Sequence, residues 1–222
     1  MTLSERIFIL TTLGNRLEEY LETEKIETVF RQMKSQNAWF TDDFAKKSIQ
    51  SIIESFLNDK KLNDFVSKYD FQNSNDIKTI GVIAAGNIPA VSFHDIICVF
   101  LSGNKSLIKP SSTDSVLIQF LINELFDIDE RNKQFFQIGQ RLNNVEALIA
   151  TGSDNTAKHF EYYFSKIPHI IRRNRTSIAV LSGNESKVDL SNLGNDIFSY
   201  FGLGCRNVSK VFVPKGYDFT PF

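Results

Sequence analysis

The sequence predicts an α/β protein in which a doubly wound, mostly parallel sheet follows an N-terminal helical region. Two observations support this fold class. From about Lys78 to Val213, short apolar segments alternate with helical patterns, as in sheets whose parallel strands are joined by helices. Before Lys78, apolar residues recur at helical spacing without a strand pattern.

The first seventy or so residues contain three sets of apolar positions at helical spacing. The sets are Ile7, Leu10, Leu17, Tyr20 and Leu21; Ile26, Val29, Phe30 and Met33; and Ile49, Ile52, Ile53 and Phe56. Such a region can form a lid or a surface for an acyl chain, or it can form a layer that packs on the next domain. We expect the packing layer, because each set is a plain amphipathic stripe.

The following region is expected to contain six strands and four helices. The strands are predicted at residues 80–84, 105–109, 135–138, 147–150, 176–181 and 208–213, and the helices at 89–101, 114–126, 153–164 and 190–201. Ligands of such sheets bind at the carboxyl ends of the strands. The residues that follow each strand are therefore the candidates for function.

Composition excludes several classes of protein. The net charge of -1 gives no electrostatic reason to bind nucleic acid. No segment approaches the length of a membrane span, and the first residues lack the features of a signal peptide. With only two cysteines, the chain is expected to be cytoplasmic with free thiols.

Four further residues are expected to have no catalytic or metal-binding role. The three histidines lack metal-ligand spacing, so no metal site is expected, and Cys98 reads as an inert core residue in an apolar helix. The histidines are His94, His159 and His169.

Two motifs follow the first two predicted strands. A Gly-Asn-Ile-Pro segment contains Asn87, which can also be read as an ordinary helix cap before a proline. Lys109 ends the second strand before Pro-Ser-Ser, where its amino group could reach a nucleotide ribose or phosphate. The alternative for Lys109 is a solvated lysine before a turn.

Two more segments combine glycine with a polar or nucleophilic residue. Gly152 and Ser153 join a strand to a helix, where free N–H groups can face an anion, although a glycine turn with a serine cap explains them equally. Cys205 lies in a Gly-Leu-Gly-Cys-Arg segment whose glycines leave the thiol open, and Arg206 can stabilise a thiolate. The alternative for Cys205 is a small residue in a tight turn.

In their order and spacing these motifs resemble the aldehyde dehydrogenase superfamily. Asn87 stands 22 residues before Lys109, Gly152-Ser153 follows, and Cys205 lies in a Cys-x-x-x-Ser-Lys segment. Within the superfamily, the chain is most similar to the LuxC-type acyl-CoA reductases, known from bacterial light emission. The similarity runs from about Lys78 to Lys215 and includes an Arg-Asn-Arg-Thr-Ser segment that begins at Arg173.

The resemblance implies a fatty acyl-CoA reductase that forms an aldehyde through an acyl-cysteine. Cys205 would be the nucleophile, and the Asn87 amide would stabilise the oxyanion. The cofactor would be held by Lys109, Ser111, Ser112, Gly152 and Ser153. The substrate would be an acyl-CoA or another acyl thioester.

Two departures from the aldehyde-oxidising members refine this expectation. Those members carry a glutamate that activates water, but the corresponding position here is near Ile171, and no carboxylate occurs between Glu161 and Glu185. NAD-preferring members place a glutamate three residues after the lysine, where this chain has Ser112. A hydroxyl can donate to a 2′-phosphate that a carboxylate would repel, so NADPH is expected, with NADH as the alternative.

The expected domains are a helical region at 1–75, a dinucleotide-binding α/β domain at 76–182, and the start of a catalytic domain at 183–222. The chain stops 17 residues after Cys205, so we expect an incomplete catalytic domain and self-association through surface that is normally covered. Two other functions stay open. One is an acyl-phosphate reductase that uses Arg172, Arg173 and Arg175, and the other is a non-catalytic nucleotide-binding domain.

Overall fold

The computed structural model describes residues 1–71 and 76–220. The last residues of the expected regions 1–75 and 183–222 therefore lie outside the described residues. The helices are α1 (Leu3–Tyr20), α2 (Glu24–Gln36), α3 (Asp42–Phe56), α4 (Asp59–Val66), α5 (Phe93–Leu101), α6 (Ser115–Ile128), α7 (Asp154–Tyr163) and α8 (Lys187–Phe198). The strands are β1 (Thr79–Ile83), β2 (Lys105–Lys109), β3 (Phe136–Ile138), β4 (Ala147–Thr151), β5 (His169–Arg172), β6 (Ser177–Val180) and β7 (Val208–Phe212). Short 3-10 helices span Glu130–Gln134 and Ser199–Gly202.

The chain forms two compact units, Met1–Arg173 and Asn174–Phe222. The first unit contains a five-stranded sheet in the order β3-β2-β1-β4-β5, and every pair of neighbouring strands is parallel. This confirms the predicted α/β class with a doubly wound parallel sheet. The direction of winding reverses between β1 and β4, as expected for this architecture.

The N-terminal helices share one hydrophobic core with α5, α6 and the sheet. Fully buried members of this core include Leu10, Ile26 and Ile49 from the N-terminal helices, Phe100 from α5 and Ile108 from β2. The N-terminal helices therefore form the packing layer that their amphipathic stripes predict. They belong to the same compact unit as the sheet.

The second unit is built from α8 and a two-stranded parallel sheet of β6 and β7. Its boundary with the first unit lies between Arg173 and Asn174, earlier than the boundary at 182–183 that the sequence suggests. The strand predicted at residues 176–181 corresponds to β6. It pairs with β7 and belongs to the second unit.

Two elements in the region of the five-stranded sheet differ clearly from the sequence prediction. The helix predicted from residue 89 begins at Phe93, because the preceding residues form turns and Ala90 has a φ of 49°. The edge strand β5 has no counterpart in the prediction. Its four residues carry one short apolar pair, too little to show a strand pattern without the partner β4.

Gly14 in α1 offers a test of how tightly the helical layer packs. A Cβ atom at Gly14 would lie 2.9 Å from the Leu57 Cβ and 3.0 Å from the Leu57 carbonyl oxygen. We expect Gly14→Ala to lower the free energy of unfolding by about 1–3 kcal/mol, because overpacking outweighs a helix-propensity gain of about 1 kcal/mol. Urea denaturation measures the difference.

Gly194 in α8 provides the matched control. A Cβ atom there would meet nothing within 4 Å. Gly194→Ala should therefore be stabilising by about 0.5–1 kcal/mol. A Gly14→Ala chain as stable as the unmodified chain would contradict the packing seen between α1 and Leu57.

Candidate functional site

The carboxyl ends of three adjacent strands meet at one edge of the sheet. Ile83, the last residue of β1, is in register with Lys109 at the end of β2 and with Ala150 near the end of β4. The loops that carry Asn87, Lys109 and Gly152 therefore leave the sheet at the same edge, where ligands of parallel sheets bind.

The loop after β1 packs directly on the loop after β2. A Cβ atom at Gly86 would lie 2.4 Å from both the Ser111 Oγ and the Thr113 Oγ1, so only glycine fits this contact. The Thr113 hydroxyl donates to the Gly86 carbonyl at 3.0 Å, and the Ser111 Oγ lies 2.8 Å from the Thr113 Oγ1. The segment that contains Asn87 is held in this way against the segment that contains Ser111.

Asp114 provides a second link between these loops. Its side chain is 2% exposed, and its Oδ2 accepts a hydrogen bond of 2.8 Å from the backbone N–H of Ala90, which has a positive φ. Burial raises the pKa of Asp114 to about 8, despite this hydrogen bond. The carboxyl is therefore mostly protonated at neutral pH. Nothing in the sequence marks this role, because it depends on the backbone of Ala90, which lies 24 residues earlier in the chain.

A cavity of about 860 Å³ opens over the carboxyl ends of β1, β2 and β3. It lies on the β3 side of the point where the winding reverses. Its lining includes three of the predicted cofactor residues, Lys109, Ser111 and Ser112. The full set of lining residues is Val29, Gln32, Gln36, Ile83, Ala84, Lys109, Pro110, Ser111, Ser112, Ser115, Val116, Gln119, Phe120, Asn123, Ile138, Gly139 and Gln140.

The electrostatic character of this cavity is simple. Among the described residues that line it, Lys109 carries the one formal charge, and no carboxylate is present. The remaining polar groups are hydroxyls and side-chain amides. Such a lining favours an anionic ligand that also has many hydrogen-bonding groups.

The helical layer contributes a wall of this cavity through Gln36 at the end of α2. The Gln36 Oε1 accepts from the backbone N–H groups of Ser115 and Val116 at 3.2 and 3.4 Å, and its Nε2 donates to the Ser115 Oγ at 2.6 Å. Gln36 thus caps the amino end of α6 from a distant part of the chain. Sequence reasoning missed it, because this capping residue is remote in sequence from the helix.

Gly152 and Ser153 lie at the same edge of the sheet but do not line the cavity. The Ser153 Oγ accepts from the Thr156 backbone N–H at 3.3 Å and caps α7. The Gly152 N–H donates to the Arg172 carbonyl oxygen at 3.1 Å. These contacts are those of a glycine turn followed by a serine cap, the alternative interpretation of this segment.

Cys205 lies in the second unit, between a 3-10 helix and β7, as a half-buried free thiol. The Asn207 side-chain amide organises this segment by donating to the carbonyl oxygens of Asp196 and Ser199 at 2.8 and 3.0 Å. Tyr200 and Phe201 adopt positive φ values of 53° and 55°, a conformation that costs other residues than glycine roughly 1–3 kcal/mol. Such strain is typical of functional segments.

Cys98 lies in the apolar helix α5, as expected, but it is not a fully buried core residue. Its side chain is half buried, and it lines a second cavity together with His94. The helical pattern placed Cys98 in an apolar segment but did not show that its face of α5 is left partly uncovered by α3 and α4.

Neither a membrane span nor a metal centre is found in the described part of the chain. No helix within residues 1–71 and 76–220 is long and apolar enough to cross a bilayer. Over the same residues, no group of three or more His, Cys, Asp or Glu side chains is arranged to hold a metal ion.

Asp114→Asn should change the pH dependence of stability. Between the ordinary pKa of 3.8 and the folded value of about 8, the folded chain keeps a proton that the unfolded chain has lost. The free energy of unfolding of the unmodified chain should therefore fall with rising pH, by up to about 1.4 kcal/mol per pH unit relative to the variant. Denaturation at pH 5, 6 and 7 measures this slope, and parallel curves would contradict a buried neutral carboxyl.

Three solved structures show the fold to which this chain is similar. Aldehyde dehydrogenase 21 from Physcomitrella patens, solved with succinate, matches with a TM-score of 0.75 and 16% identity over 96% of this chain and 49% of that chain. Aldehyde dehydrogenase from Bacillus cereus, solved with NAD⁺, gives 0.72 and 16% over 97% and 48%. Glyceraldehyde-3-phosphate dehydrogenase from Methanocaldococcus jannaschii, solved with NADP, gives 0.70 and 17% over 97% and 51%.

These likenesses establish an aldehyde-dehydrogenase-type fold, and the chain spans about half the length of each of these proteins. The comparison with curated proteins found no match. A family model described as acyl-CoA reductase (LuxC) matches residues 9–216, which is nearly the whole chain. On this match, the chain belongs to the LuxC family of acyl-CoA reductases.

Proposed function

We propose that this protein reduces a fatty acyl thioester to an aldehyde with NADPH, through an acyl intermediate on Cys205. The family supplies the reaction class. The observation that carries the proposal in the structure is the carboxylate-free cavity with Lys109, Ser111 and Ser112 in its lining.

The cavity fits the phosphorylated part of a nicotinamide dinucleotide. Its volume of about 860 Å³ lies within the usual range of ligand pockets. The Lys109 ammonium and the hydroxyls of Ser111 and Ser112 are donors suited to phosphate and ribose oxygens. The carboxyl edge that also carries Gly152 and Ser153 would receive the rest of the cofactor.

The absence of a carboxylate from the lining supports NADPH over NADH. Two of the solved relatives bind NADP and NAD⁺ respectively, so the fold accommodates both cofactors. Discrimination then depends on the side chains near the 2′ position of the adenosine ribose. A carboxylate there would repel a 2′-phosphate, whereas the Ser112 hydroxyl can donate to it.

The proposed reaction begins at the thiol of Cys205. Its thiolate attacks the carbonyl carbon of the thioester, and the side-chain amide of Asn87 and the backbone N–H of Cys205 donate to the oxyanion. Loss of such a donor costs about 10²–10³-fold in other acyl-transfer enzymes. The carrier then leaves as a thiol, and an acyl-Cys205 thioester remains. When bound, NADPH supplies the hydride that reduces this thioester to the aldehyde.

The proposed enzyme also has to keep water from hydrolysing the acyl-cysteine. The chain carries no Asp or Glu between Glu161 and Glu185, the region where aldehyde-oxidising relatives have their water-activating glutamate. General base catalysis contributes roughly 10²–10⁴-fold to such a step. Without that base, transfer of the acyl group to hydride is favoured over hydrolysis.

An acyl-phosphate reductase is the second enzymatic candidate, and the ion pairs of the first unit weigh against it. The Arg172 Nη1 lies 2.6 Å from the Asp95 Oδ2, and the Arg173 Nη2 lies 2.6 Å from the Glu161 Oε1. Both guanidinium groups are thus already engaged with carboxylates, which makes them poor candidates for a phosphate pocket.

Covalent labelling tests the proposed function. When the chain is incubated with a tagged acyl-CoA and digested with trypsin, we expect an acyl group on the peptide that ends at Arg206. Added NADPH should discharge this label as aldehyde. Cys205→Ser should lose the label at this peptide and all NADPH-dependent aldehyde formation. Its affinity for NADPH should stay within about twofold of that of the unmodified chain, because the thiol is not part of the cavity lining.

The outcomes separate the alternatives. A chain that binds NADPH but never carries an acyl group on Cys205 would be a non-catalytic nucleotide-binding domain. Labelling by an acyl phosphate but not by acyl-CoA would favour the acyl-phosphate reductase.

A further inference from the structure

A second cavity, of about 340 Å³, lies between α5 and the helices α3 and α4 of the first unit. Its rim is polar and exposed, whereas its inner wall is apolar apart from one imidazole and one thiol. The rim consists of Ser55, Lys61, Asp64 and Lys68, and the inner wall of Phe56, Leu62, Phe65, His94, Ile97, Cys98 and Leu101. None of these residues takes part in the function proposed above.

The inner wall contains a thiol–imidazole pair. His94 and Cys98 are four residues apart on α5, so their side chains lie on the same face of the helix. The Cys98 Sγ lies 3.6 Å from the His94 Nε2 and 3.9 Å from its Nδ1. The Phe56 ring packs on the imidazole with ring centroids 4.8 Å apart. Both members of the pair are partly exposed and therefore accessible from the cavity.

A buried carboxylate keeps the imidazole charged. The Asp95 Oδ1 lies 3.7 Å from the His94 Nδ1, and the Asp95 Oδ2 is bound by Arg172. Asp95 and the Cys98 sulfur together raise the pKa of His94 to about 9, although burial opposes this. At neutral pH, the Cys98 sulfur thus faces an imidazolium, which can donate a proton to the leaving group of an acyl donor.

The shape and charge of the cavity define the kind of electrophile it can take. Leu62, Ile97 and Leu101 are buried in its inner wall and provide a surface for a hydrocarbon chain. At the rim, Lys61 and Lys68 outnumber the single carboxylate of Asp64, so an anionic group is favoured at the entrance. An acyl chain attached to an anionic carrier has both properties.

We propose that Cys98, paired with His94, is a second acyl-accepting thiol that takes a fatty acyl group from an acyl thioester. The proposal rests on the proposed function for the class of acyl donor. The cavity is lined by none of the residues assigned above to the reductase reaction.

The transfer is a thioester exchange without an oxidant or reductant. The Cys98 sulfur forms a bond to the acyl carbon, and the bond from that carbon to the carrier sulfur breaks. The Cys98 thiol loses its proton to solvent as its sulfur attacks, and the His94 imidazolium donates a proton to the leaving carrier thiolate and regains one from solvent. The products are an acyl-Cys98 thioester and a free carrier thiol, and the acyl chain fills the apolar cavity.

Single and double cysteine variants test this site. With an excess of a tagged acyl-CoA, we expect Cys205→Ser to gain one acyl group, located by peptide mapping at Cys98 and stable to NADPH. Cys98→Ser should keep the NADPH-sensitive label at Cys205, and the double variant should gain none. Circular dichroism and thermal unfolding of each variant serve as the check that the fold is kept.

His94→Gln tests the part played by the imidazolium. Acylation of Cys98 by acyl-CoA should slow by about tenfold or more, because the leaving thiolate lacks its proton donor. An aryl thioester, whose thiolate leaves without protonation, should restore most of the rate. A general loss of structure would slow both donors alike.

The two proposals fail in different ways. Acyl label at Cys205 but none at Cys98 in any variant would overturn the second site and leave the reductase proposal intact. Label at Cys98 but none at Cys205 would overturn the reductase proposal and keep the second acyl-accepting thiol. If Cys98 and Cys205 are each labelled as fast in the urea-unfolded chain as in the folded chain, the cavity contributes nothing to the acylation of Cys98.

Discussion

The in-register parallel pairing of β1 with β2 and β4 is the constraint on which the rest of the site depends. Because Ile83 pairs with both Lys109 and Ala150, three loops must leave the sheet at the same edge. A shift of one residue in either ladder would turn every side chain of that strand to the other face. The buried positions of β1 and β2, such as Val82 and Ile108, hold the register through the shared core.

Contacts between the loops then convert this shared edge into a defined surface. Because Gly86 has no side chain, the hydroxyls of Ser111 and Thr113 can pack closely against it. The buried Asp114 carboxyl accepts a hydrogen bond from the Ala90 N–H, which lies in the loop that carries Asn87. The segment that carries Asn87 and the segment that follows Lys109 are therefore not independent of each other. Burial disfavours ionisation of the Asp114 carboxyl. The hydrogen bond from Ala90 to Asp114 therefore joins the loops without adding a charge beside the cavity.

The sequence predicted the parts of this arrangement that depend on local pattern. The strand-helix alternation, the position of Lys109 at the end of β2 and the glycine-rich segment before β7 that contains Cys205 could be read directly. The hydrogen bonds of Gln36 and Asp114 and the exposure of Cys98 could not, because each depends on a partner supplied by the fold or on which face of a helix stays uncovered. Ser153 illustrates the opposite case, since its side chain makes the ordinary cap that local chemistry alone suggests.

In the proposed function, the carboxylate-free cavity beside Lys109 binds the phosphorylated end of NADPH. Calorimetric titration of the chain with NADPH and with NADH tests it most directly, with Ser112→Glu as the comparison. We predict that the unmodified chain binds NADPH at least about tenfold more tightly than NADH, and that the variant loses this preference. The reason is that a like-charge contact between the new carboxylate and the 2′-phosphate costs several kcal/mol, and about 1.4 kcal/mol corresponds to a tenfold change in affinity. Equal affinity for both cofactors, unchanged by Ser112→Glu, would contradict the account.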